Sequence, residues 1–227
     1  RDAPMSIRLL FAAGGTGGHI FPATAVADCC RRLHPDVEVE FVGTRGRLEE
    51  QVVPRAGYPL NYLWISGLER KFALSNALLP AKVLASYMQA RRLLARFRPH
   101  VVICAGAYVS LPIGLAASRR KIPLVLMESN AFPGLAIRRL ASRATEVHVA
   151  FDEATKHFPA SKVIVSGNPV REVFSRHIDR EEASRHFGLR SELPTLFAFG
   201  GSLGARSINS TLDRVHEELR REGVQII

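Results

Sequence analysis

The chain has 227 residues, of which 47% are hydrophobic and 23% charged, enough apolar material for a sizeable core and too much for a disordered protein. Its 31 lysines and arginines against 21 acids leave a formal charge of +10, which favours polyanions, anionic membrane surfaces or phosphorylated substrates; no nucleic-acid-binding signature accompanies it. Three cysteines, Cys29, Cys30 and Cys104, without CxxC spacing, argue against a disulfide framework or a zinc site and for a reduced, cytoplasmic setting.

The opening Arg1-Asp2-Ala3-Pro4 is polar, and the apolar run behind it is only a strand's length, so no signal peptide is read there. Met5 is a candidate start. No run approaches the length that spans a bilayer. Strands are predicted at Ile7 to Ala12, Val37 to Val42, Val101 to Cys104, Leu124 to Met127, Glu146 to Val149 and Val163 to Val165. Several are apolar without alternation, as strands buried on both faces should be. Helices are predicted at Ala23 to Leu33, Pro80 to Phe97 and Gly134 to Ala141. On the first of these, Cys29 and Cys30 are read as small packing residues. Strand–helix alternation of this kind argues an α/β doubly wound domain with a parallel sheet.

Near Gly167-Asn168-Pro169-Val170-Arg171 the pattern changes. A charged helix from about Arg180 to Phe187 follows, then a strand at Thr195 to Phe199, a second glycine turn from Gly200 to Ala205, and a helix from about Arg206 to Arg221. The last residues, Gly223 to Ile227, read as a strand just begun, so the chain is expected to be a truncated piece. The expected organisation is a Rossmann-like domain at 1–170, a linker and helix at 171–193, and the start of a second Rossmann-like domain at 194–227.

The first glycine turn, Gly14-Gly15-Thr16-Gly17-Gly18-His19, lies between a strand and a helix that is expected to begin near Pro22. Proline suits a first helical turn, where its missing N–H has no partner. Glycines admit positive φ and close approach of a ligand, and the free N–H groups of a helix start attract anions. The spacing is not the dinucleotide pattern, which needs glycine where Ile20 stands, and no Gly-Lys-Ser/Thr of a P-loop follows. On these residues alone the turn is either an anion site or merely a tight turn. His19 at its mouth is either a general base or a structural cap.

The stretch from Gly14 to Ala23 closely resembles the opening motif of the MurG family, N-acetylglucosaminyltransferases acting on undecaprenyl-pyrophosphoryl-N-acetylmuramoyl-pentapeptide. Phe41-Val42-Gly43-Thr44, Gly57-Tyr58, Ile65-Ser66-Gly67-Leu68, Gly106-Ala107-Tyr108-Val109-Ser110, Glu128-Ser129-Asn130, Gly167 to Arg171 and Gly200 to Ala205 follow in family order. The resemblance implies a GT-B architecture. Lipid I, the acceptor, binds the N-terminal domain, and the second domain holds most of the UDP-N-acetylglucosamine. It further implies inverting single displacement without metal or other cofactor, forming lipid II in peptidoglycan synthesis at the cytoplasmic face of the bacterial plasma membrane.

Carried onto this sequence, the resemblance makes Thr16, Gly17 and Gly18 part of the loop lining the nucleotide-sugar cleft. His19 becomes the base for the acceptor's C4 hydroxyl. Glu128 becomes a second base or a residue orienting His19. Tyr108 touches the acceptor, while Asn130, Arg171 and Ser202 contact the donor. Ala107 and Leu111 stand where the family usually has glycine, and Met127 and Ser129 where it has more polar residues.

Arg70, Lys71, Phe72 and Leu74 lead into an apolar helix and form the expected membrane-docking edge, most of that helix packing inward. Two alternatives remain at this level: another lipid- or natural-product-directed GT-B transferase, or a non-catalytic acceptor-binding and membrane-docking module.

Overall fold

The structure, a computed structural model, describes residues 6–65, 79–175, 177–201 and 204–227. It divides into two compact units, Arg1–Arg171 and Glu172–Ile227.

The first unit is built on seven parallel strands, β1 (Arg8–Ala12), β2 (Glu38–Gly43), β3 (Leu60–Tyr62), β4 (Val101–Cys104), β5 (Leu124–Glu128), β6 (Glu146–Val149) and β7 (Val163–Val165). Their order is β3-β2-β1-β4-β5-β6-β7. The chain moves outward one way from β1 to β3, then returns to place β4 on the other side of β1. The strand ends at β1 and β4 are therefore the topological switch point, where open α/β sheets bind ligands.

The period-2 geometry of the strands feeds two cores. Leu10 and Ala12 of β1, with Val102 and Cys104 of β4, face α3 (Leu79–Phe97), α4 (Ser110–Arg119) and α5 (Leu135–Leu140). Phe11 and Ile103 face the opposite way, toward α1 (Gly17–Leu33) and α2 (Glu49–Arg55). On that side Phe11 stacks on Phe41 with ring centroids 5.0 Å apart. Unbroken apolar strands are the consequence of this two-sided burial.

The first helix departs from the sequence reading. It begins at Gly17, not near Pro22, and Pro22 lies buried inside it. The first N–H groups of a helix have no intrahelical partner, so the glycines already form the open turn and Pro22 removes a bond one turn further on. Cys29 is exposed and so is not the packing residue expected, while Cys30 is half-buried. Three elements were not anticipated: α2, β3 and α4. Pro54 lies in α2, and Pro112 and Gly114 lie in α4, where they mask a helical pattern. Gly114 has a packing reason, since a Cβ there would meet Leu140 Cδ1 at 2.6 Å and hold α4 away from α5.

In the second unit, α6 (Arg180–His186) is capped by Asp179, whose carboxylate accepts from the Glu181 N–H at 3.0 Å. Strand β8 covers only Thr195–Leu196, shorter than the expected Thr195 to Phe199, and pairs in parallel with β9 (Gln225–Ile226). Helix α7 (Arg206–Arg221) joins them, repeating the strand–glycine–helix order of the first unit. No described residue of this unit is buried.

Candidate active site

The loops after β1, β4 and β5 carry most of the residues singled out in the sequence. After β1 the chain turns at Gly15, with φ +83°, and enters α1 from an extended Thr16. Gly17 and Gly18 open the helix with free N–H groups. A Cβ on Gly17 would stand 2.9 Å from the Phe21 ring, so this turn is packed tightly on its own helix. The Arg171 guanidinium lies over the other part of the same arrangement, 4.6 Å from the Phe21 ring centroid.

His19 sits in the first turn of α1. Its Nδ1 is 3.2 Å from the Gly14 carbonyl oxygen and 3.5 Å from Thr16 Oγ1. A carbonyl only accepts, so this contact calls for a proton on Nδ1, which in the neutral ring leaves the lone pair on Nε2. Nε2 has no hydrogen-bond partner among the described residues. It is not enclosed either, because the one buried side-chain nitrogen or oxygen lacking a partner among them is His157 Nε2. The ring rests on the loop after β4, where Gly106 has φ +106° and a Cβ would meet His19 Cδ2 at 2.6 Å.

That loop is tied down from below. The buried Ser110 hydroxyl donates to the Gly106 carbonyl and to the Ala12 carbonyl, linking the β4 loop to the end of β1. Ala107 is forced to φ +61°, a left-handed conformation for a residue with a Cβ. The next residue, Tyr108, is 52% exposed and free to meet a ligand.

Glu128, at the end of β5, is only 4% exposed. Its Oε1 accepts from the Asn130 N–H at 2.9 Å and from Asn130 Nδ2 at 2.8 Å, and its Oε2 accepts from the Gly134 N–H at 2.9 Å. No hydrogen bond joins it to His19 among the described residues. Both oxygens shape the Asn130 loop, so in this structure Glu128 acts as a clamp on that loop. The clamp also fixes the Asn130 amide, whose Oδ1 accepts no hydrogen bond among the described residues.

Beside this loop runs a cavity of about 300 Å³ lined by Val26, Ile103, Met127, Glu128, His148 and Asn168, among others. Among the described residues no cluster of three metal-ligating side chains is present. Ser202, Arg70, Lys71, Phe72 and Leu74 lie outside the described residues.

The sequence reading missed Glu49. This carboxylate is fully buried under the first glycine turn. Its Oε2 accepts from the Gly15 N–H at 3.0 Å, and its Oε1 from the Thr44 N–H at 2.9 Å and Thr44 Oγ1 at 2.7 Å. A Cβ on Gly14 or on Gly43 would each collide with it at 2.6 Å. The only signal was an acid five residues beyond Gly43-Thr44. It looks the same in sequence as its neighbour Glu50, a surface acid at a helix start.

Residues 9–149 match the model of the glycosyltransferase family 28 N-terminal domain. A Cytophaga hutchinsonii protein named as a UDP-N-acetylglucosamine–N-acetylmuramyl-(pentapeptide) pyrophosphoryl-undecaprenol N-acetylglucosamine transferase is 41% identical over 97% of the chain and 60% of its own length. A Chlorobaculum parvum protein of the same name is 44% identical over 92% of the chain and 58% of its own length. The crystal structure of Acinetobacter baumannii MurG superposes with TM-score 0.68 at 28% identity, covering 94% of this chain and 58% of that one. The chain thus spans about 60% of the length of the curated relatives it matches. With its residues 9–149 as the N-terminal domain, the chain belongs to glycosyltransferase family 28.

Proposed function

We propose that the protein transfers N-acetylglucosamine from UDP-N-acetylglucosamine to the C4 hydroxyl of the muramoyl sugar of lipid I, forming lipid II at the cytoplasmic face of the bacterial plasma membrane. The observation that carries this reading is the match over 92–97% of the chain, glycine turns included, to proteins named for that transfer. The geometry around His19 supports the chemistry. With Nδ1–H held by the Gly14 carbonyl, Nε2 is the group that takes a proton.

In the proposed step His19 Nε2 removes the C4 hydroxyl proton. The oxygen attacks the anomeric carbon of the donor from the face opposite the diphosphate, the anomeric C–O bond breaks, and UDP leaves with inversion. The first unit is the acceptor side, with Tyr108 against the acceptor sugar. Thr16, Gly17 and Gly18 line the nucleotide-sugar cleft. Asn130 Oδ1, Arg171 and Ser202 hold the donor, the last two at its diphosphate, whose charge a guanidinium and a helix-start turn both suit.

Docking at the membrane is supported by exposed apolar side chains on α3, the helix that follows the Arg70–Leu74 segment in the sequence. Val83, Leu84 and Met88 are all exposed on this helix, Leu84 at 65%, and Trp64 is exposed ahead of it in the chain. Lys82 lies 6.0 Å from the Trp64 ring, and Arg91 and Arg92 are exposed further along α3. Apolar side chains flanked by cations are what an anionic bilayer surface binds. These side chains would extend the docking surface onto the helix, most of which was expected to pack inward. Among the described residues no helix is long and apolar enough to cross a membrane.

The test is transfer of radiolabelled N-acetylglucosamine from UDP-N-acetylglucosamine to a lipid I analogue by the product of the complete reading frame. No transfer, or transfer to an unrelated acceptor in preference, rejects the reading. The 227 residues alone are expected to give no robust transfer, because they span only about 60% of the length of the relatives named for it.

A further inference from the structure

One peptide unit separates a buried carboxylate from the candidate base. The N–H of the Gly14–Gly15 peptide, carried by Gly15, donates to Glu49 Oε2 at 3.0 Å. The C=O of the same peptide, carried by Gly14, accepts from His19 Nδ1 at 3.2 Å. In a trans peptide these groups point in opposite directions within one rigid plane. Glu49 therefore meets one edge of the plane and the imidazole the opposite edge.

We infer that Glu49 is a positioning residue that sets the tautomer and orientation of His19 through the Gly14–Gly15 peptide. The carboxylate fixes the peptide plane by accepting from its N–H, and hydrogen bonds in series polarise one another, so the Gly14 carbonyl becomes a stronger acceptor. That carbonyl admits only a protonated Nδ1, which leaves Nε2 as the lone-pair nitrogen. The nearby Thr16 hydroxyl cannot set the tautomer. It lies further away, at 3.5 Å, and a hydroxyl either donates or accepts.

The packing is built around this arrangement at both ends. Glu49 is anchored by Thr44 through two further donors, at 2.9 and 2.7 Å. Gly14 and Gly43 leave the room that its side chain fills, and Gly106 leaves the room for the imidazole, each Cβ position lying 2.6 Å from the group concerned. A surface acid would need none of these vacancies.

The inference rests on the proposed base role of His19 for its functional meaning, but its test needs no substrate. Nitrogen-15 NMR of the imidazole in the 227-residue chain, with the ring neutral, reads the tautomer directly. The wild type is expected to show His19 with Nδ1 protonated and Nε2 pyridine-like. In Glu49→Gln the shape is kept, but an amide NH₂ must face a donor. His19 is then expected to lose its single tautomer and populate the Nε2–H form. Thr44→Val removes a donor from the far oxygen only and is expected to leave the His19 signals in place.

A wild type in the Nε2–H form overturns the inference, as does a folded Glu49→Gln chain with the wild-type tautomer. Where Glu49→Gln does not fold, Gly43→Ala replaces it, since its Cβ pushes the carboxylate from the Gly15 N–H; the same two results decide. Failure of the transfer assay with the expected tautomer intact would count against the proposed function and not against the relay.

Discussion

Gly106 and His19 fill one packing position between them: a Cβ on Gly106 would stand 2.6 Å from the imidazole Cδ2 and 2.8 Å from Nε2. Gly106→Ala therefore has to move the ring. It also places a side chain at φ +106°. In the complete protein, turnover is expected to fall about 100-fold, the order associated with misplacing a reacting group by about 1 Å. Binding of UDP-N-acetylglucosamine, measured by calorimetry, is expected to change little. Equal losses in both would mean that the β4 loop serves the donor and not the base.

Removing the imidazole separates its chemistry from its packing. His19→Ala is expected to cut kcat by about 100-fold or more, the range for loss of a general base, with a smaller change in donor affinity. Near-normal turnover would reject His19 as the base.

Ala107 sits one residue from Gly106 at φ +61°. The left-handed conformation costs an alanine about 1–2 kcal/mol, part of which glycine forfeits through its more flexible unfolded chain. Ala107→Gly is expected to stabilise the protein by about 0.5–1 kcal/mol, a rise in Tm of about 2 °C at this size. A thermal melt showing no gain or a loss would mean that the Ala107 methyl, which lies near Gly15, contributes packing worth as much as the strain.

How much of this was legible in the sequence depended on the range of the interaction. Val101 to Cys104 could be read to the residue because burial on both faces imposes an unbroken apolar run. Glu146 to Val149 was legible as a strand that alternates between buried and open positions, and Val163 to Val165 as a short β-branched run, although Ile164 and Val165 are exposed at the sheet edge. The start of α1 was misplaced because Pro22 is a local signal for a first turn, while the helix actually begins at Gly17, inside the glycine turn. Candidate residues such as His19 and Asn130 lay in short recognisable motifs. Their relation to Glu49 did not, because Glu49 meets the first turn across 34 positions of sequence. A buried acid and a surface acid differ only in which glycines lie above them in space. For Glu128 the three donors all lie within six residues, and it is the burial of the carboxylate, invisible in sequence, that turns attention from proton transfer to the shape of the Asn130 loop.

Glu128→Gln tests that reassignment. One carboxylate oxygen becomes an NH₂ that must face a backbone N–H, so a buried donor is left unsatisfied and stability should drop by about 1–3 kcal/mol. The Asn130 loop loosens, and the KM for UDP-N-acetylglucosamine is expected to rise with a smaller effect on kcat. A loss confined to kcat at unchanged stability and KM would restore Glu128 to proton transfer.

Cys104, at the end of β4, gives the clearest pH dependence. Burial pushes its thiol from the ordinary 9.0 up to about 12, an effect that the Ser110 side chain partly offsets. The folded state therefore keeps the proton at pH values where the unfolded chain releases it. A raised pKa of this kind contributes stability that is fully present below about pH 9 and is lost as pH climbs toward about 12. Urea midpoints are expected to fall across that window, and to fall less steeply in Cys104→Ala, whatever that variant loses at neutral pH from its missing sulfur. Under native conditions near neutral pH, a thiol reagent should label exposed Cys29 first and reach Cys104 only on unfolding. Parallel pH slopes for wild type and Cys104→Ala, or native labelling of Cys104 at the rate of Cys29, would show that the end of β4 opens to solvent and that the loop carrying Gly106 is not held from below.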